Sequence, residues 1–148
     1  MSDHNDISFG YLINDVTCLF RKHFDRRATR FGMTRAQWRA VKRLYVSEGI
    51  TQAELADRLE MDPIAVGRVI DRLQAGGFVE RRADPADRRR WRLHLTARAR
   101  AVAADMEEIS RGLRGEATRG IPGVDVEKFV EVLERMKDNL QALDAEGS

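Results

Sequence analysis

The run Asp87-Arg88-Arg89-Arg90 carries the densest chemistry in this 148-residue chain. A guanidinium presents five N–H donors in a planar fork that matches phosphate oxygens, so three arginines on one turn are suited to gripping a polyanion. From Glu80 to Arg100 eight arginines stand against three acids, a local net of +5, while the whole chain nets only +2. Asp87 has a separate logic. A carboxylate two residues before Arg89 can hold that guanidinium in one orientation and lower the entropy lost when it inserts. Upstream, Ile64, Ala65, Gly67, Arg68, Asp71 and Arg72 fall on one face of a helical pattern. Ala65 and Gly67 give that face little bulk near its start, as a helix approaching base edges in a major groove requires, and Arg68 would reach a guanine or a phosphate.

These residues need elements to place them. Asp62 is an N-cap and Pro63 suits the first helical position; Val66, Val69, Ile70 and Leu73 then recur at helical spacing until Gly76-Gly77 supplies a left-handed stop. The pattern predicts a helix over Pro63–Ala75. Phe78–Arg82 and Trp91–Leu95 read as strands, the second with Trp91, Leu93 and Leu95 inward and Arg92 and His94 outward, joined by a loop that Asp84-Pro85 and Asp87 mark as turn-rich. Thr34-x-x-Gln37 is a capping box opening a helix through Trp38, Val41, Leu44 and Tyr45. Thr51-x-x-Glu54 is a second box, opening a short helix through Leu55, Ala56 and Leu59 that ends at Glu60-Met61. That short helix, a turn and the Pro63 helix make a helix-turn-helix, and the basic hairpin behind it makes a wing. Thr51 or Gln52, at a helix N-terminus, would donate to a phosphate, and Arg72, Arg88 and Arg90 would contact others.

The flanks are helical. Residues 1–8 are polar and frayed at their start, and Leu12, Ile13, Val16, Leu19, Phe20 and Phe24 stripe a helix from Phe9 to about Phe31. Thr96 caps another helix, striped by Ala99, Val102, Ala103, Met106, Ile109 and Leu113, weakened by Gly112 and Gly115 and stopped by Gly120-Ile121-Pro122-Gly123. In the last helix Val126, Phe129, Leu133, Met136, Leu140 and Leu143 alternate at three and four residues, a heptad seam. Terminal helices beyond a complete winged domain have little of their own protomer to cover them, so a dimer interface is the economical reading.

Composition narrows the function classes. A chain of this length is one domain by size, large enough for a real core. No apolar run reaches membrane length and no signal peptide opens the chain. A single cysteine, Cys18, fits a reducing cytoplasm. Asp125 to Glu146 carries seven acids against three bases, so positive charge is concentrated elsewhere. His4, His23 and His94 lack paired ligand spacing, and there is no phosphate loop or nucleophile elbow. Neither catalysis, a metal nor a cofactor is expected.

The segments G-M-T-R-A-Q-W, T-Q-A-E-L-A-D-R-L, V-I-D-R-L-Q-A-G-G-F-V-E-R and D-P-A-D-R-R-R-W-R-L-H-L-T, spanning Met33 to Thr96, resemble the MarR family of winged helix-turn-helix regulators, the D-x-R wing ending in L-x-L-T being the most specific part. The resemblance implies a mainly α fold with a small β-hairpin wing, a DNA-binding region over 33–96, and dimerisation helices over 1–31 and 97–146. It further implies a homodimer on pseudo-palindromic double-stranded DNA, usually a repressor released by a small ligand or by thiol oxidation. The family's crevice often takes phenolic or aromatic carboxylates; His23, Phe24, Met33, Trp38 and Arg39 are the residues here suited to supply its aromatic wall and cation. Cys18, with Arg21 and Lys22 on its side of the helix, is the redox candidate, although it stands inside an apolar stripe and further along the helix than the family's sensing cysteines. The competing class is a winged domain that docks another protein through its basic wing.

Overall fold

The computed structural model describes residues 8–147, so the polar start of the chain and His4 lie outside the described residues. Among the described residues six α-helices flank and precede one hairpin: α1 Phe9–Ala28, α2 Arg35–Val46, α3 Gln52–Leu59, α4 Pro63–Ala75, strands β1 Val79–Ala83 and β2 Trp91–Leu95, then α5 Ala97–Ala117 and α6 Gly123–Glu146. The chain groups into two compact units that divide within α5, one running to Leu113 and the other from Arg114 onward.

The helix starts follow local chemistry. Both capping boxes form: the Thr34 hydroxyl accepts from the Gln37 N–H while the Gln37 side chain accepts from the Thr34 N–H, and Thr51 and Glu54 do the same for α3. Each satisfies two of the N–H groups that a helix start leaves without intrahelical partners. The Asp62 carboxylate accepts from the N–H groups of Ile64 and Ala65 at 2.8 and 3.3 Å, fixing the start of α4. At its end Gly77 adopts φ +76°, the left-handed turn that lets the chain reverse into β1.

The first unit has one core. Trp38, Val41 and Leu44 of α2, Leu55 and Leu59 of α3, Val66, Ile70 and Leu73 of α4, Leu93 and Leu95 of β2 and Met106 of α5 are buried together, with Phe24 and Ala28 closing it from α1. The strands pair antiparallel, Val79 opposite Leu95 and Ala83 opposite Trp91. The outer edge of β2 is also used. The Leu93 N–H donates to the Ile50 carbonyl (2.9 Å) and the Gly49 N–H to the Leu93 carbonyl (2.8 Å), so the wing is tied to the segment that leads into α3.

Several expectations shift. The first helix ends at Ala28 and passes through a 3-10 turn, Thr29–Phe31, to left-handed Gly32. β1 runs one residue later than the pattern suggested, because Phe78 takes the turn out of α4 with its N–H on the Leu73 carbonyl. Trp91, expected inward, is 48% exposed: it lies opposite Ala83 at the loop end of the hairpin, beyond the core that covers Leu93 and Leu95.

In the second unit α6 is 24 residues long and none of its residues from Gly123 to Glu146 is buried. Phe129, Leu140 and Leu143 of its seam are exposed, and Val126, Leu133 and Met136 are half-buried.

Candidate nucleic-acid interface

α4 is held by its inner face and offers its outer one. Burial of Val66, Ile70 and Leu73 leaves Ile64 (70% exposed), Arg68 and Arg72 outward, with Ala65 and Gly67 half-buried between them. Gly67 sits close to α3: a Cβ there would come within 3.1 Å of Gln52 Nε2. The small-residue face therefore serves two ends, a slim surface and a close approach of α4 to the start of α3.

The wing tip is internally braced. Asp87 Oδ1 accepts from the Arg89 backbone N–H at 3.0 Å and from its Nε at 3.3 Å, while the Arg90 N–H donates to the Asp87 carbonyl at 3.0 Å. The Arg89 side chain is otherwise 91% exposed, a cation held at its root and free at its tip. Below the tip, buried Asp84 accepts from the Ala86 N–H (2.9 Å) and pairs with Arg92 Nη2 (3.1 Å), whose Nη1 donates to the Gly49 carbonyl (2.8 Å). The Ala86 hydrogen bond foremost, and then Arg92, holds the Asp84 carboxyl below its ordinary value against the opposing effect of burial. At the other end of β2, burial works against the charge of Glu48. Hydrogen bonds from Arg100 and the Leu95 N–H outweigh it and hold that carboxyl low too.

Not every expected contact residue is free to make a contact. Thr51 is buried and its hydroxyl is occupied in the α3 cap, and the Asp62 carboxylate is occupied in the α4 cap. Gln52 is half-buried with its carbonyl oxygen accepting from Arg81 (3.2 Å). Ile64, Arg68, Arg72, Arg88, Arg89 and Arg90 are exposed and stay available.

Arg81 is the residue that charge counting passes over. Its Nη1 donates to Gln74 Oε1 (2.8 Å) and pairs with Asp71 (2.7 Å); its Nη2 donates to Gln52 Oε1 and to the Gly67 carbonyl at 3.3 Å. With its side chain only 18% exposed, Arg81 joins α3, α4 and β1 through one guanidinium. Strand alternation holds the signal: Arg81 shares the face of Val79 and lies opposite buried Leu93, where a charge needs partners.

The residues proposed for a ligand are not all gathered. Phe24 and Trp38 pack on each other in the core, ring centres 4.4 Å apart, and the Trp38 indole N–H donates to Asp25 Oδ1 at 2.8 Å. Trp38 and Arg39 line one cavity; Met33 is half-buried and His23 is exposed on α1. Cys18, expected within an apolar stripe, is exposed, as are Leu12, Val16 and Leu19 of the same helix. Among the described residues no three His, Cys, Asp or Glu side chains gather as a metal would need, and no helix is long and apolar enough to cross a membrane.

A helix-turn-helix whose second helix is capped, slim-faced and followed by an arginine-tipped, internally braced hairpin defines a winged helix-turn-helix DNA-binding protein. A family model described as the MarR family matches residues 31–90. Among solved structures the chain is similar to the transcriptional regulator PA3341, at 30% identity and TM-score 0.81 over 90% of this chain and 98% of that one. It is also similar to a MarR transcriptional regulator from Methanosarcina mazei Go1, at 25% identity and TM-score 0.82 over 91% and 97% of the two chains. A third likeness is to MarR itself, at 25% identity and TM-score 0.84 over 99% of each. The chain belongs to the MarR family of transcriptional regulators.

Proposed function

We propose that this regulator works as a homodimer on pseudo-palindromic double-stranded DNA, as a repressor. The observation that carries the reading is the pairing of a slim-faced α4 with a wing whose Arg89 is held by Asp87. Each α4 enters a major groove with Ile64, Ala65, Gly67 and Arg68 toward base edges. Arg89 enters the flanking minor groove, and Arg72, Arg88 and Arg90 meet phosphates. Thr51 and Asp62 act through the caps they form, and Gln52 from within the Arg81 cluster. Dimerisation is supported by the exposed apolar residues of α1 and, separately, by those of α6, a long helix with nothing buried on it. The reading includes neither catalysis nor a cofactor, and places the protein in the cytoplasm with the DNA.

Release by a small ligand is the mode of control proposed, an aromatic or phenolic one being the class the family resemblance suggests; of the candidate set Trp38 and Arg39 share a cavity, but Phe24 packs on the Trp38 ring and leaves it little face for a ligand. Such a ligand must favour a dimer whose α4 helices are wrongly spaced for the duplex. Thiol oxidation is the second reading, favoured by the exposure of Cys18. Selection of bound sequences from a random duplex pool, repeated with phenolic carboxylates and with peroxide on wild type and Cys18→Ser, tests all three. Enrichment of an inverted repeat is expected; binding to every duplex alike would point instead to a winged domain that docks a protein.

A further inference from the structure

A cavity of about 330 Å³ lies among α1, α2 and α3 and is walled chiefly by cations. Arg21 reaches it from α1, Arg39, Lys42 and Arg43 from α2, and Arg58 from α3, and no carboxylate shares the wall. Like charges crowded around one small volume repel each other unless acids are interspersed or a bound anion supplies the missing charge. Elsewhere this chain intersperses them: Arg35, Arg81, Arg92 and Arg100 pair with Asp25, Asp71, Asp84 and Glu48. Among the described residues no carboxylate pairs with Arg21, Arg43 or Arg58.

The inner part of the site is built. Arg39 is half-buried with its Nη2 on the Leu59 carbonyl (3.1 Å), and burial foremost, then Arg21, pushes its guanidinium below the ordinary value, Arg43 adding and Glu60 opposing. Lys42 donates to Ser110 Oγ (2.9 Å) and stands 4.3 Å over the Phe24 ring. The Trp38 ring is packed by Phe24 on one side and lies 5.6 Å from Lys42 Nζ, so it supports the wall and leaves little face for stacking a ligand ring.

We propose that this cavity binds a small molecule carrying two or more phosphate groups, its oxygens held by the guanidinium forks of Arg21, Arg39, Arg43 and Arg58. A single carboxylate would bring one negative charge to four guanidinium groups and leave most of the repulsion in place. Several phosphates match both the charge and the fork geometry. The volume falls at the lower end of small-molecule sites, about 300–1,000 Å³. Binding stands on the cavity alone; a role for the bound molecule as effector rests on the DNA-binding reading.

The test is calorimetric titration with sodium tripolyphosphate, with sulfate at matched ionic strength as the comparison, on full-length wild type, Arg43→Gln/Arg58→Gln and Arg89→Ala. Both substituted cavity arginines are exposed, and a circular dichroism melt confirms that the double variant folds. Expected is a saturable tripolyphosphate signal that sulfate does not reproduce, about tenfold weaker for each cavity arginine removed and unchanged in Arg89→Ala. Equal signals from sulfate and tripolyphosphate, wild-type affinity in the double variant, or a loss seen only in Arg89→Ala would overturn the site. So would a double variant that keeps tripolyphosphate but loses duplex affinity and salt dependence, which would make these arginines DNA-backbone contacts. The titration contains no DNA, so failure of duplex recognition and failure of this site are read separately.

Discussion

Arg81 and Arg89 carry the same charge and do different work. Arg89 is held at its root by Asp87 and projects into solvent, so it can give its charge to a phosphate or a narrow groove. Arg81 spends its donors on Gln74, Gln52 and the Gly67 carbonyl, with Asp71 as its counter-ion. Arg89→Ala is expected to leave the melting temperature unchanged, weaken duplex binding, and lower the slope of log affinity against log salt by roughly one phosphate's worth. Arg81→Gln is expected to cost about 1–2 kcal/mol of stability, because charge-assisted bonds across three elements are lost, and to weaken duplex binding with the salt slope intact. Equilibrium unfolding and a salt titration of affinity distinguish the two. Identical slopes for both variants would show that Arg81 is a phosphate contact as well. The Asp87–Arg89 pair was legible from spacing alone, since both partners lie two residues apart on one turn. The Arg81 cluster was not, since Gln52 stands 29 residues away and only the folded chain brings it near.

At the scale of elements, the helix ends were written locally. Ser, Thr or Asp at an N-cap, proline at the first position and glycine at the stop each act within four residues, and α2, α3 and α4 begin where those signals place them. The strands depend on what packs over them. Alternation placed Trp91 inward with Leu93 and Leu95, but only tertiary packing decides where the core stops, and it stops before Trp91. Cys18 misled in the same way: an apolar stripe looks alike whether it meets a core or stands exposed. The wing base makes a pH prediction. The Asp84 carboxyl is held below its ordinary value, foremost by the Ala86 N–H and then by Arg92, so these two interactions together contribute full stability above the ordinary carboxyl range. That contribution is lost as pH falls through the depressed value. Asp84→Asn should therefore melt earlier than wild type at neutral pH and show a smaller drop on acidification. Parallel melting curves against pH for the two proteins would show that the pair contributes nothing.

For the whole molecule, the unanswered need is cover for apolar surface. α6 has no buried residue along its 24 positions, yet Phe129 (56% exposed), Leu140 and Leu143 repeat at heptad spacing. Burying a large apolar side chain contributes about 1.5–3 kcal/mol, and twofold symmetry counts each one twice. Phe129→Asp is accordingly expected to raise the dimer dissociation constant at least about a hundredfold while leaving the helical content unchanged, as sedimentation equilibrium and circular dichroism would show. A variant that stays dimeric would place the interface elsewhere.

The heptad pattern suggested that α6 needs a partner; the partner's identity is a property of two chains and was not written in one. The reading as a whole stands on two α4 helices meeting one duplex at a fixed separation, and hydroxyl-radical footprinting on the selected duplex measures that separation directly. Two protected patches related by a dyad, with centres about 10 base pairs apart and weaker protection outside each from the wings, are the expected result. A single protected patch, or protection that moves with no fixed register, would contradict it.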